Sequence, residues 1–286
     1  MTMLQSKGIR APRSVALTLA ALTIGGLSLA VVGPAHAGIP VDLIASSATS
    51  QGAVGTIKGR LVWGGPEAPA PKVLVAKGQA QKDSGVCASQ ADLLDHELVV
   101  DPKTKGVRYA FVYLVRPKGS NPDAVKALVA NHPAVEIDQK NCEFLPYVTA
   151  LHREQSILFK SSDPVNHNVH VSPFTNEGFN LILPPNGQLT KKLVAERRVI
   201  PLGCDIHPWM KGWIMVFDHP FFAVTEPDGS FEIKGVPAGE QNLVVWQAAV
   251  GYANEGLGRG MPVPVEAGRS ADVGDLKLDP ARVKAP

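Results

Sequence analysis

Three features of the sequence predict an all-β fold. Glycine and proline are frequent, 27 and 24 of 286 residues. Long amphipathic helical patterns are scarce. Short runs rich in β-branched and aromatic residues recur between turn signals, the pattern of a sandwich rather than a helical bundle.

The chain begins with Lys7, Arg10 and Arg13 and no acid, followed by the apolar run VALTLAALTIGGLSLAVV and Ala35-His36-Ala37. A basic start, an apolar middle and a small-x-small close predict a secretory signal over residues 1–37, cut after Ala37. The glycines and the AHA site favour cleavage over a membrane anchor. No twin-arginine pair is present, so export of the unfolded chain is expected, to the periplasm or the exterior, with no membrane span after cleavage. The whole chain has 28 Lys+Arg and 26 Asp+Glu. Removing three leader basics leaves 25 against 26, so the basic balance belongs to the leader. No Lys/Arg cluster remains to meet a phosphate backbone, which leaves nucleic-acid binding unsupported.

Residues 38–52 read as a linker. Strand character follows in TIKGRLVW (56–63), KVLVA (72–76), HELVVD (96–101) and RYAFVYLV (108–115). PDAVKALVANH (122–132) starts after an Asn-Pro turn and stops before Pro133, as a short helix should. From Ala134 the strands come closer together: AVEID, EFLPYVTAL, SILFKSS, NHNVHVS and VIPLGC. After Asp218, FFAVTEPDGSFEIKGVPAGEQNLVVWQ alternates strands with Pro-Asp-Gly and Pro-Ala-Gly turns. GLGRG (256–260) lacks the Lys-Ser/Thr ending of a phosphate loop and opens no helix, so a flexible connection is expected.

One segment carries metal chemistry. LGCDIHPWMKGWIMV (202–216) places Cys204, His207 and Met210 three residues apart. Thiolate and thioether are soft and imidazole is borderline, a set that suits copper better than magnesium or calcium. Zinc sites usually draw on several thiolates or a carboxylate. A fourth ligand must come from elsewhere, and DPVNHNVHV offers His167 and His170. On a strand these two face opposite sides, so only one can reach the ion. Met215 in WIMVF alternates within a strand and reads as core, leaving Met210 as the weaker ligand. Each residue taken singly is most simply a buried thiol or a turn histidine.

Together these segments resemble the amicyanin/plastocyanin-like blue-copper proteins of the cupredoxin family. CDIHPWM (204–210) is similar to the family's short ligand loop, and NHNVH (166–170) to the segment bearing its first copper histidine. The resemblance covers residues 133–218. It implies a Greek-key cupredoxin sandwich with one type 1 copper site. His167, Cys204 and His207 would be the equatorial ligands and Met210 the axial one. Asn168 would tie the two ligand loops together. The implied activity is outer-sphere electron transfer between redox partner proteins. In the family the second histidine's edge emerges through an apolar docking patch, here Pro208 and Trp209. Multicopper oxidases place histidines on both sides of the cysteine; Gly203 and Asp205 stand there instead. A dinuclear electron-entry site would need a second nearby cysteine.

TEPDGSFEIKGVPAGEQNLVVW resembles the carboxypeptidase regulatory-like module, a transthyretin-like β-sandwich. GTIKGRLVWGGPEAP (55–69) resembles that module's first strand and turn, and RYAFVYL its next strand. The expectation is a discontinuous module, residues 53–118 plus 219–282, with the cupredoxin-like domain inserted at 133–218. Its implied role is structural, and no catalytic residue is expected in the chain. If Cys204 is a ligand, Cys87 and Cys142 remain, most simply as a disulfide in an oxidising compartment. It would close a loop of about 55 residues and stabilise by roughly 3–5 kcal/mol in the chain-entropy treatment. Two free thiols or a second metal site are the alternatives. Alongside an electron carrier, the sequence allows a non-redox structural or ligand-binding β-protein with a vestigial site, or a copper storage or delivery protein.

Overall fold

A computed structural model describes residues 53–283. The expected signal (1–37) and linker (38–52) lie outside the described residues. No helix among the described residues is long and apolar enough to cross a membrane.

The fold is all-β. In chain order come β1 (Val54–Trp63), β2 (Val73–Val75), β3 (Leu93–Leu94), β4 (Val99–Val100), β5 (Val107–Arg108) and β6 (Phe111–Leu114). Helix α1 (Pro122–Asn131) is followed by β7 (Ala134–Lys140), β8 (Glu143–Leu145), β9 (Val148–His152) and β10 (Ser156–Ser161). Then come β11 (His167–Val171), β12 (Phe179–Leu183), β13 (Gln188–Lys191), β14 (Ile200–Gly203) and β15 (Lys211–Phe217). The last third holds β16 (Phe222–Val224), β17 (Ser230–Pro237), β18 (Gly239–Gln247), β19 (Gly251–Tyr252), β20 (Met261–Val265) and β21 (Ser270–Leu278).

Four sheets account for most of these strands: β17-β1-β21, β16-β6-β18-β19 with β20 on β18, β12-β11-β14-β15-β9, and β13-β10-β7-β8. Strand β1 pairs antiparallel with β17 and parallel with β21, so residues near 55–63 hydrogen-bond to strands near 230–278. The last two of the four sheets share one core and make up the sandwich that carries the candidate site, here the site sandwich. In it two pairings are parallel, β10 with β7 and β15 with β9.

Side-chain alternation stacks these sheets in layers. On β6, Val112 and Leu114 enter a core with Ile57, Phe231 and Leu243, whereas Phe111 and Tyr113 face the opposite way. On β15, Ile214 and Val216 face a second core with Ile137, Phe144 and Phe159. Met215 and Phe217, alternating with them in sequence, meet Phe111 and Tyr113 in a third. Ring contacts seal that middle layer: Tyr113 lies 5.2 Å from Phe217 and Trp213 5.3 Å from Trp246. At β6 and β15 the second and third sheets are therefore apolar on both faces. That explains the near-continuous hydrophobic runs FVYL and WIMVF.

Three local expectations are corrected. RYAFVYLV is two strands, because Tyr109 adopts φ +66° and the backbone turns there to pair Ala110 with Thr225. HELVVD contributes only Val99–Val100. GLGRG closes into one 3-10 turn, Leu257–Arg259, held by the Asn254 amide on the Leu257 carbonyl at 3.1 Å. The Pro-Asp-Gly turn needs its glycine: Gly229 sits at φ +80°, and a Cβ would stand 2.1 Å from the Leu61 carbonyl oxygen. Helix α1 is capped by Asn121, whose side chain accepts from the Ala124 amide, and it buries no residue.

Candidate metal centre

Strands β11 and β14 lie side by side, with His170 opposite Gly203 and Val171 opposite Leu202. That register sets Cys204, just past β14, near His167 at the start of β11. The loop from Cys204 to Met210 is closed by its own backbone: Cys204 donates to the Met210 carbonyl at 3.2 Å and Met210 to the His207 carbonyl at 2.9 Å. The closed turn brings His207 back over the cysteine.

The three donor atoms converge. Nδ1 of His167 lies 3.0 Å from Nδ1 of His207, and Cys204 Sγ lies 3.8 Å from the latter. Both histidines are 0% exposed and Cys204 is 3% exposed. Met210 is buried in the same core as Cys204, whereas Met215 belongs to the middle layer. His170 points outward from β11 and pairs with Asp205 at 2.9 Å. Alternation along the strand separates it from His167, as expected.

Asn168 joins the two segments. Its amide N–H donates to Cys204 Sγ at 3.4 Å, and its side-chain oxygen accepts from the Asp205 amide at 2.6 Å and the Ile206 amide at 3.4 Å. Its side-chain amide also reaches Asn180 and Asp205.

Each imidazole has its remote nitrogen on a carboxylate. His167 Nε2 meets Asp163 Oδ2 at 2.9 Å, and His207 Nε2 meets Asp83 Oδ2 at 2.9 Å. These partners assign the proton of a neutral ring to Nε2 and leave the Nδ1 lone pair facing the cysteine. Burial pulls His167 down, but Asp163 and then Cys204 outweigh it and lift His167 to about 9. Burial drives His207 below its ordinary value despite Asp83. For Cys204 burial acts upward, yet the His167 contact and three backbone N–H groups hold the thiol below its usual range. Three donor atoms thus converge in a buried site, and a soft cation bound there would release protons, as metal binding to imidazole and thiolate does. The donor set fits copper.

Cys87 and Cys142 form a disulfide, 55 residues apart in sequence. Their sulfurs stand within 4.8 Å of the His207 ligand atom, and Cys142 is equally near Asp163 and His167. Pro208 is exposed and Trp209 half-buried, its ring 5.2 Å from that of His207. The edge of His207 does not emerge beside them. The reason is Asp83, which comes from a segment between β2 and β3 and lies over the imidazole. Sequence reasoning missed both carboxylates. Asp163 is four residues before His167, a spacing that carries no signal by itself, and Asp83 is 124 residues from its partner.

No protein-family model matches this chain, and no curated protein does. Solved structures do resemble part of it. The copper-containing nitrite reductase NirK from Thermus scotoductus SA-01 aligns at 21% identity over 29% of this chain, with a TM-score of 0.27. That alignment spans only 22% of the reductase. A reduced mutant of amicyanin aligns at 16% identity over 30% of this chain and 84% of its own, TM-score 0.27. A purple cupredoxin from Nitrosopumilus maritimus aligns at 18% identity over 29% of this chain and 99% of its own, TM-score 0.25. These likenesses are confined to about a third of the chain, and the site is read from its own side chains.

Proposed function

We propose that the protein is an exported type 1 copper protein passing single electrons between redox partners. His167, Cys204 and His207 are the equatorial ligands in this reading and Met210 the axial one. The observation that carries it is the convergence of two imidazole Nδ1 atoms and one thiol, all buried, on a single point. Bound there, copper would supply a one-electron couple. The chain's part is to hold the geometry. Asn168 fixes the cysteine loop against β11, the two carboxylates fix the ring tautomers, and the core around Phe144 excludes water. A centre held in one geometry exchanges an electron with little rearrangement, and fixed ligand orientation is what such outer contacts provide. No group is assigned a catalytic role.

In the same reading residues 133–218 form a cupredoxin-like domain inserted into a transthyretin-like module, 53–118 plus 219–282, that serves as its frame. Support comes from the pairing of β1 with β17 and β21, which joins residues 54–63 to strands after residue 219. Pro208 and Trp209 are the proposed contact for redox partners, through the Trp209 ring 5.2 Å from that of His207 and not through the His207 edge, which Asp83 covers. The periplasm or exterior is the proposed location.

The test is cupric ion added to the purified protein with the visible spectrum recorded. An intense thiolate-to-copper band that disappears in Cys204→Ser supports the proposal. Colourless binding would indicate storage or delivery, and no binding a structural protein.

A further inference from the structure

The segment between β2 and β3, residues 76–92, is a closed loop. Strands β2 and β3 pair at its base, and Gly78 donates to the Ala88 carbonyl at 2.8 Å across it. Its apolar residues Ala80, Cys87 and Ala88 are buried in the core that also holds Ile137, Phe144 and Cys204. Although it precedes the site sandwich in sequence, it packs as part of it.

Asp83 sits at the turn of this loop at φ +52°. Its carbonyl accepts the amides of Val86 and Cys87 at 2.8 and 2.9 Å, while its carboxylate holds His207 Nε2. On the other side, Asp163 Oδ2 accepts the Cys142 amide at 2.7 Å and holds His167 Nε2. One half-cystine, Cys142, thus binds the Asp163 carboxylate directly, the other, Cys87, holds the backbone carbonyl of Asp83, and each of these aspartates orients one imidazole.

We propose that Asp83 is a positioning residue of the copper centre, and that the disulfide-anchored loop bearing it closes the His207 edge to solvent and small ligands. The proposal rests on the copper reading above. It assigns the Cys87–Cys142 bridge a role beyond closing a chain loop, because the bridge joins the supports of both histidines. It also moves the surface above His207 from the ligand loop itself to residues 76–92.

The experiment compares the full protein with Asp83→Ala and Asp83→Asn by cupric titration, visible spectroscopy, redox titration and addition of azide. Asp83→Ala should lower cupric affinity about 10–100-fold, the usual cost of removing a hydrogen-bond partner from a metal-binding imidazole. Azide should perturb its spectrum but leave that of the unaltered protein unchanged. Both variants remove a negative charge beside His207, so both should raise the reduction potential, which a merely structural role would not do. Asparagine tolerates the positive φ and keeps an acceptor oxygen, so Asp83→Asn should retain most of the affinity and carries the test if the alanine variant fails to fold. Unaltered affinity, potential and azide resistance in the variants, with the thiolate band present in the parent, overturn this proposal alone. Absence of the band in the parent overturns the copper reading and this proposal with it.

Discussion

Around the core that contains Ile57, Leu114 and Leu243, the buried polar side chains are Thr225, Gln241, Gln247 and Asn254. All four are neutral, and each completes a backbone pairing: Thr225 on Val107, Gln241 on Pro237, Gln247 on Glu97 and Asn254 on Val245. The site sandwich buries Asp163, His167, His207, His152 and Glu196 as well as a free thiol. Among the described residues, the five buried polar atoms without a hydrogen-bond partner also lie there, on Asp138, Gln139, Thr149, Ser161 and Trp209. Burying a neutral amide against a carbonyl costs little, whereas burying a charge is tolerable only with a partner in place. One region spends its polar groups on the backbone. The other also buries ionisable groups, two of which, His167 and His207, meet at a common point, each on its own carboxylate. Frame and centre are distinguished by what they bury, even though both are β-sandwiches.

The largest test of that contrast truncates each core. Phe159→Ala should cost about 3–5 kcal/mol and Leu114→Ala about 2–5 kcal/mol, both measured by denaturant unfolding. Only the first should broaden or weaken the visible spectrum of the copper-loaded protein. An equal spectral change in Leu114→Ala would erase the distinction between frame and centre.

Buried charge against buried amide gives the next test. Glu196 accepts from the amides of Phe174 and Thr175 and from the Asn176 side chain. Removing this acceptor leaves the Phe174 and Thr175 amides without it, while the Asn176 side-chain amide keeps the Val194 carbonyl, so Glu196→Ala should destabilise by about 2 kcal/mol. Gln241→Ala in the frame, where the lost group is neutral, should cost about 1 kcal/mol. Thermal unfolding of the two variants in one buffer checks the order.

Smaller still, Asn121→Ala should lose about 1 kcal/mol through its helix cap and leave the spectrum unchanged, since α1 buries nothing. The last prediction concerns acid. Burial holds His219 below its ordinary value of 6.5, and its Nδ1 accepts the Phe221 amide. Below pH 6.5 the unfolded chain takes up a proton that the folded chain refuses. The stability from this group is therefore whole above 6.5 and is lost as pH falls through the lower folded value. His219→Phe should flatten the decline in unfolding midpoint between pH 7 and pH 5, and an unchanged decline would show that other groups set it.

Much of the centre was legible from spacing alone. Cys204, His207 and Met210 occupy one short loop, so their proximity is a local property of chain geometry. Strand alternation allowed only one of His167 and His170 at the ion, and the resemblance of NHNVH to the family's first histidine segment selected His167. The pairing of Cys87 with Cys142 followed once Cys204 was reserved. The burial of His207 was not legible. The family resemblance implied an exposed edge, and nothing in CDIHPWM refers to residues near 83. The split at Tyr109 was equally hidden, since RYAFVYLV has strand-forming residues throughout and the kink comes from a pairing with Thr225 more than a hundred residues away.

The sequence by itself determined the β class, the short helix with its cap, and the soft donor set brought together by local spacing. Each depends on residues a few positions apart, where the backbone's own period decides which side chains meet. The tertiary structure alone decided that two carboxylates, one of them 124 residues from its histidine, lock the rings in place, and that the disulfide joins their supports. It also decided that strands β6 and β15 are buried on both faces. Those features arise when layers pack, and a hydrogen bond between distant segments leaves no periodic trace in either one.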